Sequence, residues 1–555
     1  MPIPSPTNKS PANYTSEVSN LHRLRASLFL FACTLFSATA AISQSPDPTT
    51  PGRLVLVLPF ENRSGDPTLN WIADSFPDTL DRRFNSSGFL TITRDDRQFA
   101  LDHLGLPIDF RPTRATTIRI AQTLDADYVI VGNYNVADGR IVVQARVLQV
   151  KQLSLSAPLE DSSELPKLFD CENAIAWKIA RQIDPKFPVA LQTFLAAPGG
   201  AKLSAFENFI RGIESTSSVD RIKRLQASVN EAPDFAAALL ALGKAQYQAR
   251  QYDQAAATLA KVPADDRVTL EANFFLGLAR FNSAKYADAQ KAFELVATRL
   301  PLPEVLNNEA VAQSRQGKDA VALFRQVIAA DPNDPDYHFN LGLAILRQGD
   351  PAHAQPEIDT ALKLRPFDTE ATELKSRIAA NLHLTGTPLT NAIAAGGFEP
   401  LERIRRTFSE ASFRQAAFQL DQVRAMRLAT LPPAEQATQY TQLGNDYLAQ
   451  GLVPEAEREF QTALAGDPKS AAARAGIAQV RERSGADADA RSESQASLEL
   501  APNAAAYMVL ARLDLKQNDL AAASTDVTSA LKLDPKNGSA IGMKQQLISR
   551  GQSIP

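Results

Sequence analysis

Prolines in matching contexts recur at Pro301, Pro332, Pro366, Pro468, Pro502 and Pro535, at separations of 31, 34, 102, 34 and 33 residues. The 102 is three periods of 34, so one repeat length runs through most of the second half of the chain. A unit of that size cannot bury its apolar face alone, and a chain built this way must stack its units into an elongated array. Each unit also carries a small residue at its eighth position: Gly243, Gly277, Ala310, Gly342, Gly444, Ala478 and Ala511. Alanine follows at the twentieth: Ala255, Ala289, Ala320, Ala354, Ala456, Ala490 and Ala523. Small residues at fixed offsets let two helices approach closely, and Leu259, Phe293, Phe324, Ile358, Phe460 and Val527 are then expected to fill the gap to the next hairpin. Proline after each second helix stops it and turns the chain.

Two units show the pattern most fully: Tyr440, Leu443, Gly444, Tyr447, Ala456, Phe460, Ala463 and Pro468, and then Leu341, Gly342, Ala354, Ile358, Ala361 and Pro366. This resembles the tetratricopeptide repeat. Seven units are readable between about 236 and 536, and Phe206 to Pro233 reads as a weaker eighth. The resemblance implies an all-α superhelix with a long concave surface lined by first helices. It places the fifth, ninth and twelfth positions of a unit in that groove, which makes Phe274, Leu278, Phe281, Phe339, Leu343 and Leu346 the candidate partner-binding residues. Burial of these residues against neighbouring turns is the structural alternative.

The pattern fades over 367–433. Leu401, Ile404 and Phe408, then Phe413, Ala416, Leu420 and Val423, still describe a helix pair, so 398–430 is expected to be a degenerate repeat. The preceding stretch, with Gly386, Pro388, Gly396 and Gly397, predicts a helix followed by an irregular excursion. Asp331, Asn333, Asp334 and Asp336 superficially suggest a calcium loop, but the glycine and distal glutamate of such a loop are missing. They sit where a repeat turn falls.

The first part of the chain alternates strands and helices instead. Leu54 to Leu58 is a continuous β-type apolar run ended by Pro59, which predicts a strand covered on both faces. Leu69, Ile72, Ala73, Phe76, Leu80 and Phe84 then mark one face of a helix that Pro77 is expected to kink or split. Residues 89–93 and 128–131 predict strands, 96–104 and 115–124 helices, and Asp138-Gly139 a hairpin turn. In the returning strand Ile141, Val143, Ala145 and Val147 face one way, Val142, Gln144 and Arg146 the other. A last helix carries Leu168, Ile175, Ile179 and Ile183. The segments LVLVLPFENRSGDPTLNWIADSF and ADYVIVGNYNV resemble the TolB amino-terminal-like domain over roughly 53–150, which implies a small α/β domain used for assembly. The turn at Ser64-Gly65 lacks both nucleotide-cradle motifs. Asp66 or Thr68 is expected to cap the following helix, with anion binding at that helix start as the alternative.

Ahead of this domain, Ala26 to Ile42 runs seventeen residues without a charge, behind His22, Arg23 and Arg25 and before a polar, proline-bearing stretch. That is the layout of a secretory signal. Ala38-x-Ala40 and Ala41-x-Ser43 suit signal peptidase, so a mature chain starting near Ala41 or Gln44 is expected, in the periplasm or cell envelope. An uncleaved signal anchor, and lipidation at Cys33 within Leu30-Phe31-Ala32-Cys33, remain open, and either would be the chain's only route to a membrane. Residues 1–20 are long and polar for an n-region, which points to a translation start further in, near Val18. The resulting division is a signal and polar leader over 1–43, a linker over 44–52, the TolB-like α/β domain over 53–190 and a linker over 191–202. Tetratricopeptide repeats follow over 203–366 and 434–550, on either side of degenerate repeats or an insertion over 367–433. The parts 52–190 and 203–550 are expected to be separate folding units.

Composition narrows the function. Lys plus Arg total 58 against 62 Asp plus Glu in 555 residues, and a net charge of -4 offers no field to gather nucleic acid. Five scattered histidines leave little for a metal centre or a histidine-based triad. After signal cleavage Cys171 alone would remain, so no intramolecular disulfide is expected and Cys171 reads as a packed apolar side chain. No motif for a hydrolase, zinc protease or kinase is present. The chain therefore reads as a non-enzymatic scaffold of the bacterial envelope, without cofactor or metal, that binds a protein in its repeat groove. An enzyme, or a small-ligand or anion-binding regulator with its site in the α/β domain, is the alternative.

Overall fold

A computed structural model describes residues 54–106, 113–196, 202–264, 266, 268–380, 398–408, 416, 419 and 422–552. The apolar run at 26–42 with Cys33, the excursion expected over 381–397, and Phe413 and Leu420 of the expected helix pair lie outside the described residues. Among the described residues no helix is long and apolar enough to cross a membrane.

The first region is a small α/β layer. Strands β1 (Leu54–Val57), β2 (Glu61–Asn62), β3 (Leu90–Thr91), β4 (Tyr128–Ala137), β5 (Arg140–Gln149), β6 (Ser154–Leu155) and β7 (Leu159–Glu164) form one sheet. Its order is β3-β1-β4-β5-β6, with β2 also on β4 and β7 also on β5. The parallel strands β3, β1 and β4 are buried between helix layers. On one side Val55, Val57 and Ile130 pack with α1 (Trp71–Ser86) and α4 (Leu168–Ile183). On the other, Leu56, Leu58 and Val129 pack with α2 (Arg94–His103) and α3 (Arg114–Thr123). Asp138 and Gly139, both at positive φ, turn β4 antiparallel onto β5, as the sequence predicts. In β5 Ile141, Val143 and Ala145 are buried while Val142 is exposed.

Pro77 lies inside α1, which runs unbroken over Trp71–Ser86, so of the kink or split expected there the split does not occur. The Ala73 carbonyl that a proline at 77 leaves without its helical donor accepts instead from the Phe60 amide at 3.1 Å. The backbone gap is thus filled by the chain just beyond β1, and Phe60 stacks on Phe76 with ring centroids 4.1 Å apart. Asp66 caps the short helical turn 67–69, accepting from the Thr68 amide at 2.9 Å, but α1 itself starts after Asn70, which makes no side-chain cap bond, so neither Asp66 nor Thr68 caps that helix as the sequence suggests. The Ser64 hydroxyl accepts from the Val136 amide at 2.9 Å, which ties this loop to β4.

The helical region follows without a gap in the packing. Leu191–Ala196, expected as linker, is helix α5, and its Phe194 is fully buried. The apolar core of the sheet runs on through Phe194 into Phe206, Phe209 and Ile210 of α6 (Leu203–Glu214) and Leu225 of α7 (Ser218–Glu231). Helices α8 (Ala236–Gln248), α9 (Tyr252–Leu259), α10 (Thr269–Asn282), α11 (Tyr286–Arg299), α12 (Pro303–Ser314), α13 (Val321–Ala330), α14 (Pro335–Arg347) and α15 (Pro351–Leu364) complete the first five hairpins, and α16 (Thr369–Ala380) stands after them. Beyond the interruption come α17 (Pro433–Ala449), α18 (Val453–Gly466), α19 (Ala471–Arg483), α20 (Asp487–Leu500), α21 (Ala504–Lys516), α22 (Leu520–Leu533) and α23 (Gly538–Ser549). The units predicted from the period are therefore helical hairpins, the weak one at 206–233 included.

The eighth position works within its own hairpin. A Cβ on Gly277 would sit 2.6 Å from the Phe293 ring, a distance no real methyl tolerates, so glycine is what lets α10 and α11 close on that ring. Phe460 also does what the sequence predicts between hairpins, because its ring lies against Gly444 of its own unit and Gly476 of the next. The C-terminal repeats also touch α5: the Ala190 amide donates to Glu457 at 3.3 Å, and Arg481 bridges Glu457 and the Thr193 hydroxyl.

Candidate functional site

The face formed by the first helices of the early repeats is covered by a later segment of the chain itself. Residues 398–408, where the i, i+3, i+7 spacing of Leu401, Ile404 and Phe408 predicts a helix, have no regular secondary structure. They cross the first helices α14, α12 and α10, in that order. The second half of the expected pair is helical over 422–428.

The segment is gripped through its backbone. The Asn340 carboxamide accepts from the Arg403 amide at 2.7 Å and donates to the Arg403 carbonyl at 2.8 Å. Asn308 does the same for Arg405, at 2.7 and 2.8 Å. Asn307 adds a second donor to the Arg403 carbonyl at 3.0 Å, and its own oxygen accepts from Asn340 at 2.8 Å. All three asparagines are fully buried. Unpaired amides there would cost a large desolvation penalty, and pairing with the peptide group relieves it. These bonds replace those that a helix at 403–405 would make with itself, which is why the local spacing loses to the groove.

Side chains then alternate. Arg403 lies over the Phe339 ring, 3.8 Å from its centroid, and pairs with Asp336 at 2.9 Å, Asp368 at 2.8 Å and Glu370 at 3.0 Å. Arg405 pairs with Asp334 and, at 3.3 Å, with Asp336, and lies over the Tyr337 ring. Burial alone would lower both guanidinium pKa values, but the facing carboxylates outweigh it and raise them. Burial likewise pushes the Asp336 and Asp368 carboxyls up, and their arginine partners bring both below the usual aspartate value. Asp334 stays raised by burial despite Arg405. Facing the other way, Glu402 is buried between Arg315, at 2.9 Å, and Arg347, with the Ser314 hydroxyl bonded to it. Ile404 packs between the two repeat cores, and Phe408 meets Phe274 with ring centroids 5.4 Å apart.

Of the residues expected to line the groove, Phe274 and Phe339 meet this segment directly. Leu278, Leu343 and Leu346 are buried in the repeat cores, and Phe281 is half-buried against Tyr286 and Arg315. Nothing in the 34-residue pattern marks Asn308 and Asn340, both at the sixth position of successive units, and in that pattern the Asp331–Asp336 run is a turn only. Asp334 does cap α14, accepting from the Asp336 amide at 2.9 Å, and it holds Arg405 as well. Asparagine is a weak helix former, and its recurrence at one position of adjacent first helices was the available signal.

The family comparison agrees with the repeat geometry. Models of the tetratricopeptide repeat match residues 222–273, 306–369 and 441–505. The chain thus contains tetratricopeptide repeats behind a small α/β region, and such repeats support a protein–protein interaction scaffold. No curated protein matches the chain. Among solved structures, the chain is similar to the LpoB C-terminal domain from Salmonella enterica, at 21% identity over 21% of this chain and 87% of that one, with a TM-score of 0.19. It is also similar to MamA from Desulfovibrio magneticus, at 18% identity over 31% and 100% of the two chains, with a TM-score of 0.28. A thermophilic tetratricopeptide protein of Thermus thermophilus matches at 16% identity over 32% and 100%, with a TM-score of 0.24.

Proposed function

We propose that the protein is a non-enzymatic scaffold, exported to the bacterial periplasm or envelope, that holds an extended segment of a protein partner in the groove of its first repeats. In this reading the α/β region is TolB-like and docks to an envelope assembly. The observation that carries the groove reading is the seating of residues 401–408: buried asparagines on successive repeats pair with backbone amides, the contact by which a groove takes a peptide without regard to its side chains. The export reading rests on the charge, apolar run and small-residue order at 22–43.

The test is affinity capture from an envelope extract with full-length Arg403→Ala/Arg405→Ala, whose own segment has lost its ion pairs and competes less for the groove, and with the same chain carrying Asn308→Ala/Asn340→Ala as well, after circular dichroism has shown both folded. Losing two buried backbone clamps should weaken retention of a groove partner about ten- to a hundredfold. A folded variant that retains every partner would remove the groove from the account. Amino-terminal sequencing of the chain recovered from the same cells should begin near Ala41 or Gln44; residues 1–40 still attached would count against a cleaved signal.

A further inference from the structure

The groove reads more than backbone. Acidic groups from the start of α14 and the start of α16 converge on two guanidinium groups spaced two residues apart, while Arg315 and Arg347 converge on the carboxylate just before them. An apolar slot takes Ile404, and Phe274 with Phe275 takes an aromatic ring three residues after the second arginine. The spacing fits the architecture: the five residue steps from Arg403 to Phe408 span roughly 16 Å when extended, about the distance from the first to the third axis of three packed first helices. Resting on the scaffold reading above, we infer that this groove selects partner segments of the pattern Glu-Arg-aliphatic-Arg followed three residues later by an aromatic residue, and that Leu401–Phe408 is the chain's own copy, which such a partner displaces.

Three features favour a displaceable occupant over a permanent strut. The clamps on Arg403 and Arg405 read only peptide groups, which any extended segment supplies. Leu401, Arg406 and Thr407 are exposed, so the segment engages the groove through Glu402, Arg403, Ile404, Arg405 and Phe408 alone and leaves its other side chains to solvent. The charge of the groove matches in sign at each position, acidic against Arg403 and Arg405 and basic against Glu402, which gives specificity for that order of charges.

A labelled peptide EPLERIRRTF, the sequence of residues 399–408, tests this by fluorescence anisotropy against the full-length protein. A tethered occupant competes as an effective concentration in the millimolar range, so wild type should bind the free peptide weakly. Arg403→Ala/Arg405→Ala, whose own segment has lost its ion pairs, should bind it at least tenfold more tightly. The same peptide with both of these arginines replaced by alanine should bind that variant at least tenfold less tightly. Equal affinity of wild type and variant, or of the two peptides, would overturn the inference. Should the variant fail to fold, wild type is decisive alone: saturating peptide should abolish the hydrogen-exchange protection of the Arg403 and Arg405 amides, and unchanged protection would show a strut. The scaffold reading is judged separately. If the peptides fail while Asn308→Ala/Asn340→Ala still loses partners, the arginine pattern is wrong and the scaffold stands.

Discussion

Phe274→Ala is expected to destabilise the first repeats by about 3–5 kcal/mol, the usual cost of emptying a fully buried aromatic site. Phe274 is buried against Phe275, Phe293 and Phe408, so its removal opens a cavity shared by α10, α11 and the crossing segment. The loss should appear in urea titration as an earlier transition of the first repeats, because an array unfolds through nearest-neighbour units. A change of less than about 1 kcal/mol would mean the ring is a replaceable groove anchor and not core. This is the point at which the simplest groove picture, apolar anchors waiting for a partner, gives way to one in which those anchors are already covered.

The second large effect lies in the α/β region and depends on pH. Glu172 on α4 is fully buried and accepts from the Ser75 hydroxyl on α1. Burial pushes its carboxyl up to about 7 from 4.5, and the Ser75 bond offsets only part of that. The folded state therefore keeps a proton that the unfolded chain releases. Stability from this group is full below about 4.5, falls as pH rises towards 7, and is flat above, a loss of roughly 3 kcal/mol across the window. Glu172→Gln keeps an acceptor for Ser75 and cannot ionise, so its urea midpoint should lose that component of the pH dependence. Parallel pH profiles for wild type and variant would show that Glu172 is not the group responsible.

The repeats were legible because one spacing repeats many times, and Gly277 under Phe293 shows that the small-residue rule reflects real contact. The repeat pattern places Phe274 and Phe339 in the groove, and both meet the segment that lies there. What the sequence hid is non-local. Ile404 and Phe408 are an even number of residues apart, so they share a face in an extended chain as well as in a helix. The choice is made by Asn308, Asn340 and the acidic groups near 336 and 368, remote in sequence. Pro77 misled in the same way, because the donor that satisfies Ala73 comes from Phe60. Cys171, read as packing, is buried, and burial pushes its thiol up to about 12.

Amide hydrogen exchange of the full-length protein, resolved at Arg403 and Arg405, tests the central claim most directly. With both amides donating to buried asparagine carboxamides, they should exchange far more slowly than the amides of the exposed residues Arg406 and Thr407, and Asn308→Ala should release Arg405. Exchange of Arg403 and Arg405 at the rate of an unstructured peptide would show that the segment does not occupy the groove, and the account would fail.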